Sequence, residues 1–288
     1  HTQHTLMKPY ILAVDAGTTS SRAIVFDVDT KKIGLGQFEF KQHYPNPSWV
    51  EHNPMEIWDS QLAAIKEALK AGKVKPQDIS AIGITNQRET TLIWDAVTGK
   101  PLYNAIVWQD RRTADFCNDI RNGEHASMII EKTGLIPDAY FSASKIRWIL
   151  NNVDGARERA DRGELRFGTV DTWIIWNLTG GNSHLTDASN ASRTMLYDIS
   201  NGCWDQDLCA LFEVPMSVLP KVVDSSGYLA VTAEKVFGAE IPITGIAGDQ
   251  QSALFGQLCF DTGEAKNTYG TGCFAVANTG KQIVRSSN

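Results

Sequence analysis

The chain has 288 residues, 42% hydrophobic and 21% charged, and carries a net charge of −6 at neutral pH. Its length supports one large domain or two smaller ones with buried cores, and an acidic balance without a basic patch or tail excludes a nucleic-acid or anionic-membrane partner. No apolar run approaches the length of a membrane-spanning segment, and the five cysteines, at 117, 203, 209, 259 and 273, lack CxxC spacing and read as reduced thiols of a cytoplasmic protein.

Residues 1–7 lack the apolar stretch of a signal peptide and read as an appended leader, with Met7 the native start. Residues 10–14 predict a strand ending at Asp15; after a Gly/Thr/Ser turn, residues 23–26 predict a second, and residues 33–40 continue the meander. Asn53-Pro54-Met55-Glu56 is a helix start, with Asn as N-cap and Glu three residues on, and the helix should end near Gly72. Strands are expected at 79–85, 91–94 and 105–108, and helices at 113–120, 144–151 and 170–178. A strand at 241–246 runs into a helix at 249–256, so the intermixed order predicts an α/β domain. Residues 267–277 echo the opening design, a Gly-Thr turn between two short strands.

Three polar clusters could carry chemistry. In Asp15-Ala16-Gly17-Thr18-Thr19-Ser20-Ser21-Arg22 the backbone N–H groups could face phosphate oxygens and Asp15 could hold Mg²⁺ through water, although a plain hairpin explains the string equally well. It is not a Walker loop, because a strand rather than a helix follows. Arg88 and Glu89 stand at a strand end, where one donates and the other accepts, as the hydroxyls of a neutral polyol require; an exposed ion pair is the alternative. Asp249 lies where a strand becomes a helix, which suits either a helix cap or a general base. Trp108 and Tyr140 could pack on a ligand or simply belong to the core. The six histidines include no i, i+4 pair beside carboxylates, so the sequence supports no metal site beyond a Mg²⁺ brought by a substrate.

Taken together, Asp15–Arg22 and the strings at residues 49–52, 83–91, 104–109, 167–173, 190–195, 245–251 and 267–272 resemble the FGGY carbohydrate kinases, over nearly all of residues 8–280. The resemblance implies an α/β, ribonuclease-H-like fold of the actin/hexokinase ATPase type, a mixed sheet flanked by helices, with ATP and polyol meeting between two such domains. Residues 8–256 would be the N-terminal domain and residues 257–288 the truncated start of the second. It further implies an ATP-dependent transfer of phosphate to glycerol, with Asp249 as general base. The glycerol site would comprise Arg88, Glu89, Trp108, Tyr140, Asp249 and Gln250. Thr18, Thr19, Ser20 and Arg22 fall on the first phosphate motif, Asp15 on the Mg²⁺ position, and Thr271 with Gly272 on the second phosphate motif. A homo-oligomer is expected of the intact protein, and negligible kinase activity of this chain alone. A pentulose or pentitol kinase, and a polyol-binding module without kinase activity, stand as alternatives. Residues 232–240 lack the Gly-rich, Arg-containing effector loop and the phosphorylated histidine of some relatives, so neither form of regulation is expected.

Overall fold

The computed structural model describes residues 9–270 and 272–286, and the leader expected at residues 1–7 lies outside them. Strands β1 (Tyr10–Ala16), β2 (Ser20–Asp27) and β3 (Lys32–Glu39) form the predicted meander, and helix α1 (Pro54–Gly72) follows it. Then come β4 (Ile79–Asn86), α2 (Val170–Leu178), the short α3 (Ala188–Ala191), β5 (Ser226–Val231), β6 (Pro242–Gly248) and α4 (Asp249–Gly256). Strands β7 (Ala265–Tyr269) and β8 (Cys273–Ala277) close the sequence of elements used below.

One six-stranded mixed sheet, in the order β5-β6-β4-β1-β2-β3, organises the chain. β1 runs parallel to β4, β6 runs parallel to β4, and the remaining pairs are antiparallel. The short apolar runs read from the sequence lie in these strands, and Leu12, Val14 and Ala16 of β1 and Ala23 and Val25 of β2 are buried, as strand periodicity places them on one face. Helix α1 begins as predicted, with the Asn53 side chain accepting the Met55 N–H at 2.8 Å. It lies so close to β3 that a Cβ on Gly34 or Gly36 would come within 2.0 Å of the Ala68 carbonyl oxygen or 2.1 Å of that of Ala64. Only glycine fits there. α2 adds Trp173, Ile174 and Ile175 to the same core and is pinned to the start of α1 by the Trp173 indole, which donates to the Pro54 carbonyl at 2.9 Å.

A second hydrophobic cluster gathers Ile146, Ile149, Phe167, Phe212 and their neighbours, under helices at Ala114–Asn122, Ala126–Thr133 and Ser142–Asn152. The helices at Ala126–Thr133 and Ala156–Asp161 were not expected. The strand expected at 105–108 is only Ala105–Ile106. After one more bond in register, from the Val107 N–H to the Val50 carbonyl, the chain leaves the ladder: the Trp108 N–H donates to the Thr90 hydroxyl at 3.3 Å and the Asp110 N–H closes a turn on Val107. Strands β7 and β8 pair only with each other.

Register brings Ala16, Asn86 and Gly248 side by side at the carboxyl ends of the three parallel strands. Ligands of open α/β sheets bind beyond such ends, and the candidate residues follow at 17–22, 87–91 and 249–251.

Candidate active site

Beyond β4, Gln87 is tied across the sheet end, its N–H to Ala16 at 2.8 Å and its side-chain amide to the Gly17 carbonyl at 2.9 Å. Glu89 then takes a left-handed backbone at φ 64°, uncommon for a residue with a side chain and characteristic of constrained functional positions. The hydroxyls of Ser142 and Thr91 both donate to the Glu89 carbonyl at 3.0 Å and hold that conformation. Arg88 and Glu89 are 6% and 1% exposed, so the pair is buried and the exposed-loop alternative is excluded. Arg88 Nε lies 3.3 Å from an Asp249 carboxylate oxygen and 3.9 Å from Glu89. A second guanidinium, that of Arg193, donates to Glu89 at 2.6 Å. A buried carboxylate needs such partners.

Asp249 is the first residue of α4, and the helix cap is Gly248, which removes the helix-cap alternative for Asp249. Its carboxylate accepts the Gln250 N–H at 2.8 Å and points beside Arg88. Burial raises its pKa above the ordinary carboxylate value; Arg88 opposes that shift and Glu89 adds to it. A raised pKa makes a carboxylate a better base at neutral pH. The Gln250 amide oxygen accepts from the Lys266 ammonium, which also donates to Thr268 at 2.7 Å and to the Phe274 carbonyl at 3.3 Å. Hairpin β7–β8 is thereby fastened over the start of α4.

Three rings close the space. Trp108 meets Tyr140 edge-on at 5.8 Å and Phe274 at 6.2 Å, and its indole N–H donates to the Thr18 hydroxyl at 3.0 Å. The result is a cavity of about 150 Å³ lined by Thr18, Arg88, Glu89, Trp108, Tyr140, Asp249, Gln250, Thr268, Gly270, Gly272 and Phe274. At ~30 Å³ per water, that holds a ligand of a few heavy atoms. An open groove of about 980 Å³ beside α1 is larger, but its charged lining residues are the lysines 66, 100 and 235, without a carboxylate.

The structure therefore gathers all six residues expected at a polyol site, together with Thr18 and Gly272. Asp15, Thr19, Ser20 and Arg22 belong to the hairpin that carries Thr18 but do not line the cavity. Arg22 and Ser20 share the Gln37 side chain, at 3.1 Å each. The Gly17 N–H is consumed by the Ser20 carbonyl at 3.0 Å, which removes it from the donors of the turn. A Cβ on Gly272 would sit 2.7 Å from the Phe274 ring, so a side chain there would displace that ring. Thr271 lies outside the described residues. Among the described residues no three His, Cys, Asp or Glu groups cluster to hold a metal. Asp15 is a lone carboxylate, held up in pKa by burial and partly restored by Arg22. That donor set suits a Mg²⁺ reached through water and substrate phosphates, not a protein cage.

The family profile described as "FGGY family of carbohydrate kinases, N-terminal domain" matches residues 10–256. The chain belongs to the FGGY family of carbohydrate kinases. This FGGY chain is 58% identical to "Glycerol kinase" of Caldanaerobacter subterraneus subsp. tengcongensis over 97% of its length, covering 56% of that relative. It is 57% identical to "Glycerol kinase" of Deinococcus radiodurans, again over 97% of the chain and 56% of the relative. Among solved structures it superposes on Plasmodium falciparum glycerol kinase with ADP at a TM-score of 0.91 and 40% identity, over 96% of the chain and 56% of that protein. Xylulose kinase from Lactobacillus acidophilus shares the fold, at a TM-score of 0.81 and 22% identity over 92% of the chain and 53% of that protein. The FGGY chain thus spans about half the length of the curated relatives it matches.

Sequence reasoning missed Arg193, Lys266, Thr268 and Phe274 at this FGGY site. Arg193 lies within the resembling string at 190–195, and a charged residue between small polar ones was the available signal. Lys266 and Phe274 sit on strands whose inward face is set by the hairpin register, which pairs Thr268 with Phe274. No local pattern marks them.

Proposed function

We propose that this chain is the polyol-gripping and base-carrying domain of an ATP-dependent glycerol kinase, with residues 257–288 leading into the second domain. The reading rests on one observation above the rest: a buried guanidinium, a buried carboxylate, an aspartate of raised pKa and a carboxamide converge in a small cavity walled by aromatic rings. Arg88 donates to one polyol hydroxyl while Glu89 accepts from its neighbour, and Gln250 does either. Trp108 and Phe274 cover the C–H faces.

In the reaction the terminal hydroxyl oxygen of glycerol attacks the γ-phosphorus of ATP. The bond to the β,γ-bridging oxygen breaks, ADP leaves, and the hydroxyl proton passes to the Asp249 carboxylate. Arg88 keeps that carboxylate ionised and aimed. The Thr18–Thr19 turn faces the transferring phosphate, and Asp15 would help hold a Mg²⁺ brought by the nucleotide, which would supply neutralisation of phosphate charge. Cavity size favours glycerol over a pentulose or pentitol.

The test joins this chain to the C-terminal domain of a glycerol kinase relative and assays phosphorylation of glycerol and xylulose. Asp249→Asn should lower kcat by about 10²- to 10⁴-fold, with little change in glycerol affinity. Near-normal turnover of that variant, or a preference for xylulose, would sink the proposal.

A further inference from the structure

Behind the cavity, and outside the residues assigned so far, lies a buried carboxylate without a cationic partner among the described residues. Asp187 is 0% exposed and caps α3. One of its oxygens accepts the N–H and the side-chain amide of Asn190, at 3.0 and 2.9 Å. The other accepts the Ser189 N–H at 3.1 Å and two hydroxyls, those of Ser189 at 2.6 Å and Ser225 at 2.7 Å. A serine hydroxyl has one hydrogen and two lone pairs. With its hydrogen committed to Asp187, Ser189 can only accept from its other side, and what it accepts is the Gly248 N–H at 2.9 Å.

Gly248 immediately precedes Asp249 and caps α4. It is pressed against Arg88, since a Cβ there would lie 2.6 Å from the Arg88 Cδ. The same short segment makes two further contacts of this kind. Asn190 and Asn86 exchange side-chain hydrogen bonds at 2.9 and 3.2 Å, and Arg193 holds Glu89. Residues 189, 190 and 193 thus engage positions 248, 86 and 89, which are the two strand ends and the buried carboxylate of the polyol site.

We infer that residues 187–193 form a brace that sets the polyol site, in which Ser189, oriented by Asp187, is a positioning residue for Asp249. This deepens the kinase reading and rests on it for the consequence, but the geometry is tested without turnover. Freed from Ser189, the Gly248 N–H loses its acceptor, and the Asp249 carboxylate, which follows it directly, is released from its place beside Arg88.

The experiment uses the 288-residue chain with ¹³C-labelled aspartate, following the Asp249 carboxyl signal with pH by NMR and titrating glycerol in parallel. Ser189→Ala should displace the Asp249 titration and weaken glycerol binding about tenfold, the scale of one unsatisfied buried donor. Ser189→Thr should restore both, and Ser189→Cys, whose sulfur accepts weakly, should fall between. Ser225→Ala removes a donor to the same Asp187 oxygen but leaves the Ser189–Gly248 bond, so it should lower the melting temperature and leave the Asp249 titration in place. An unchanged Asp249 titration in Ser189→Ala, or an equal displacement in Ser225→Ala, overturns the brace. Should Ser189→Ala fail to fold, the Thr and Cys variants decide: a Cys titration identical to that of the wild type overturns it. Wild-type chain that ignores glycerol while its Asp249 signal still responds to Ser189 overturns the polyol reading and keeps the brace.

Discussion

The hairpin of β1 and β2 is held in a six-stranded sheet between β4 and β3, whereas the hairpin of β7 and β8, which echoes it in sequence, is a two-stranded ribbon on its own. Core packing and ladder bonds on both edges fix the first. The second turns one face outward, with Tyr269 77% exposed, and an isolated two-stranded ribbon is marginal in water. What fastens it is one buried ammonium, Lys266, on Gln250, itself held in place by Thr268 of the same ribbon, and the Phe274 ring on Trp108. The same Gly-Thr design is therefore a fixed wall on one side of the cavity and a tethered flap on the other.

This contrast can be broken most forcefully at the seam under the first hairpin. Gly36→Ala would drive a methyl into the backbone of α1 at Ala64 and should cost about 3 kcal/mol of global stability, read as a lower denaturation midpoint with an unchanged slope. If it proves neutral, the first hairpin is not the rigid member. Lys266→Met should act only on the flap. Losing its charge-assisted bonds, worth about 1.5–3 kcal/mol, should speed amide exchange over residues 265–277 by tenfold or more, with the global midpoint unmoved. A global loss would show that the flap belongs to the core after all.

A pH effect sharpens the comparison from the sheet side. Asp171 is buried, accepting from Thr186 at 2.7 Å and Thr169 at 2.5 Å, and burial, reinforced by Asp187, pushes its pKa up to about 7. In the unfolded chain it ionises near 3.8. Its contribution to stability is thus fully present below that value and is lost as pH rises to about 7, because the unfolded state releases the proton first. Asp171→Asn removes this dependence, so its melting temperature relative to the wild type should rise between pH 4 and pH 8. Exchange in the flap should not respond.

Much of this architecture was legible because local chemistry decided it. Asn53-Pro54 is a strong local helix start, and 10–14 and 23–26 are short apolar runs separated by a Gly/Thr/Ser turn. The seven residues from Gly83 to Glu89 read as a strand leading into a polar end. Where distant partners decide, the sequence was silent. The burial of Arg88 depends on Gly248 and Asp249, more than 150 residues on, and Glu89 needs Ser142 and Arg193 to hold it. The strand expected through Trp108 fails because its N–H groups find loop partners, and the helix at Ala126–Thr133 lacks a capping side chain to announce it. For Asp249 the sequence allowed either a helix cap or a base; Gly248 supplies the cap and leaves the carboxylate to face Arg88.

The contact of Gly34 and Gly36 with Ala68 and Ala64 has a mechanical consequence. Backbone rests on backbone there, with no side-chain cushion to absorb displacement. If the β1–β2 turn tilts, strand β3 must carry α1 along, as a rack carries a pinion. The outer face of that helix, bearing Lys66 and Lys70, then reports at the surface on movement of the β1–β2 turn.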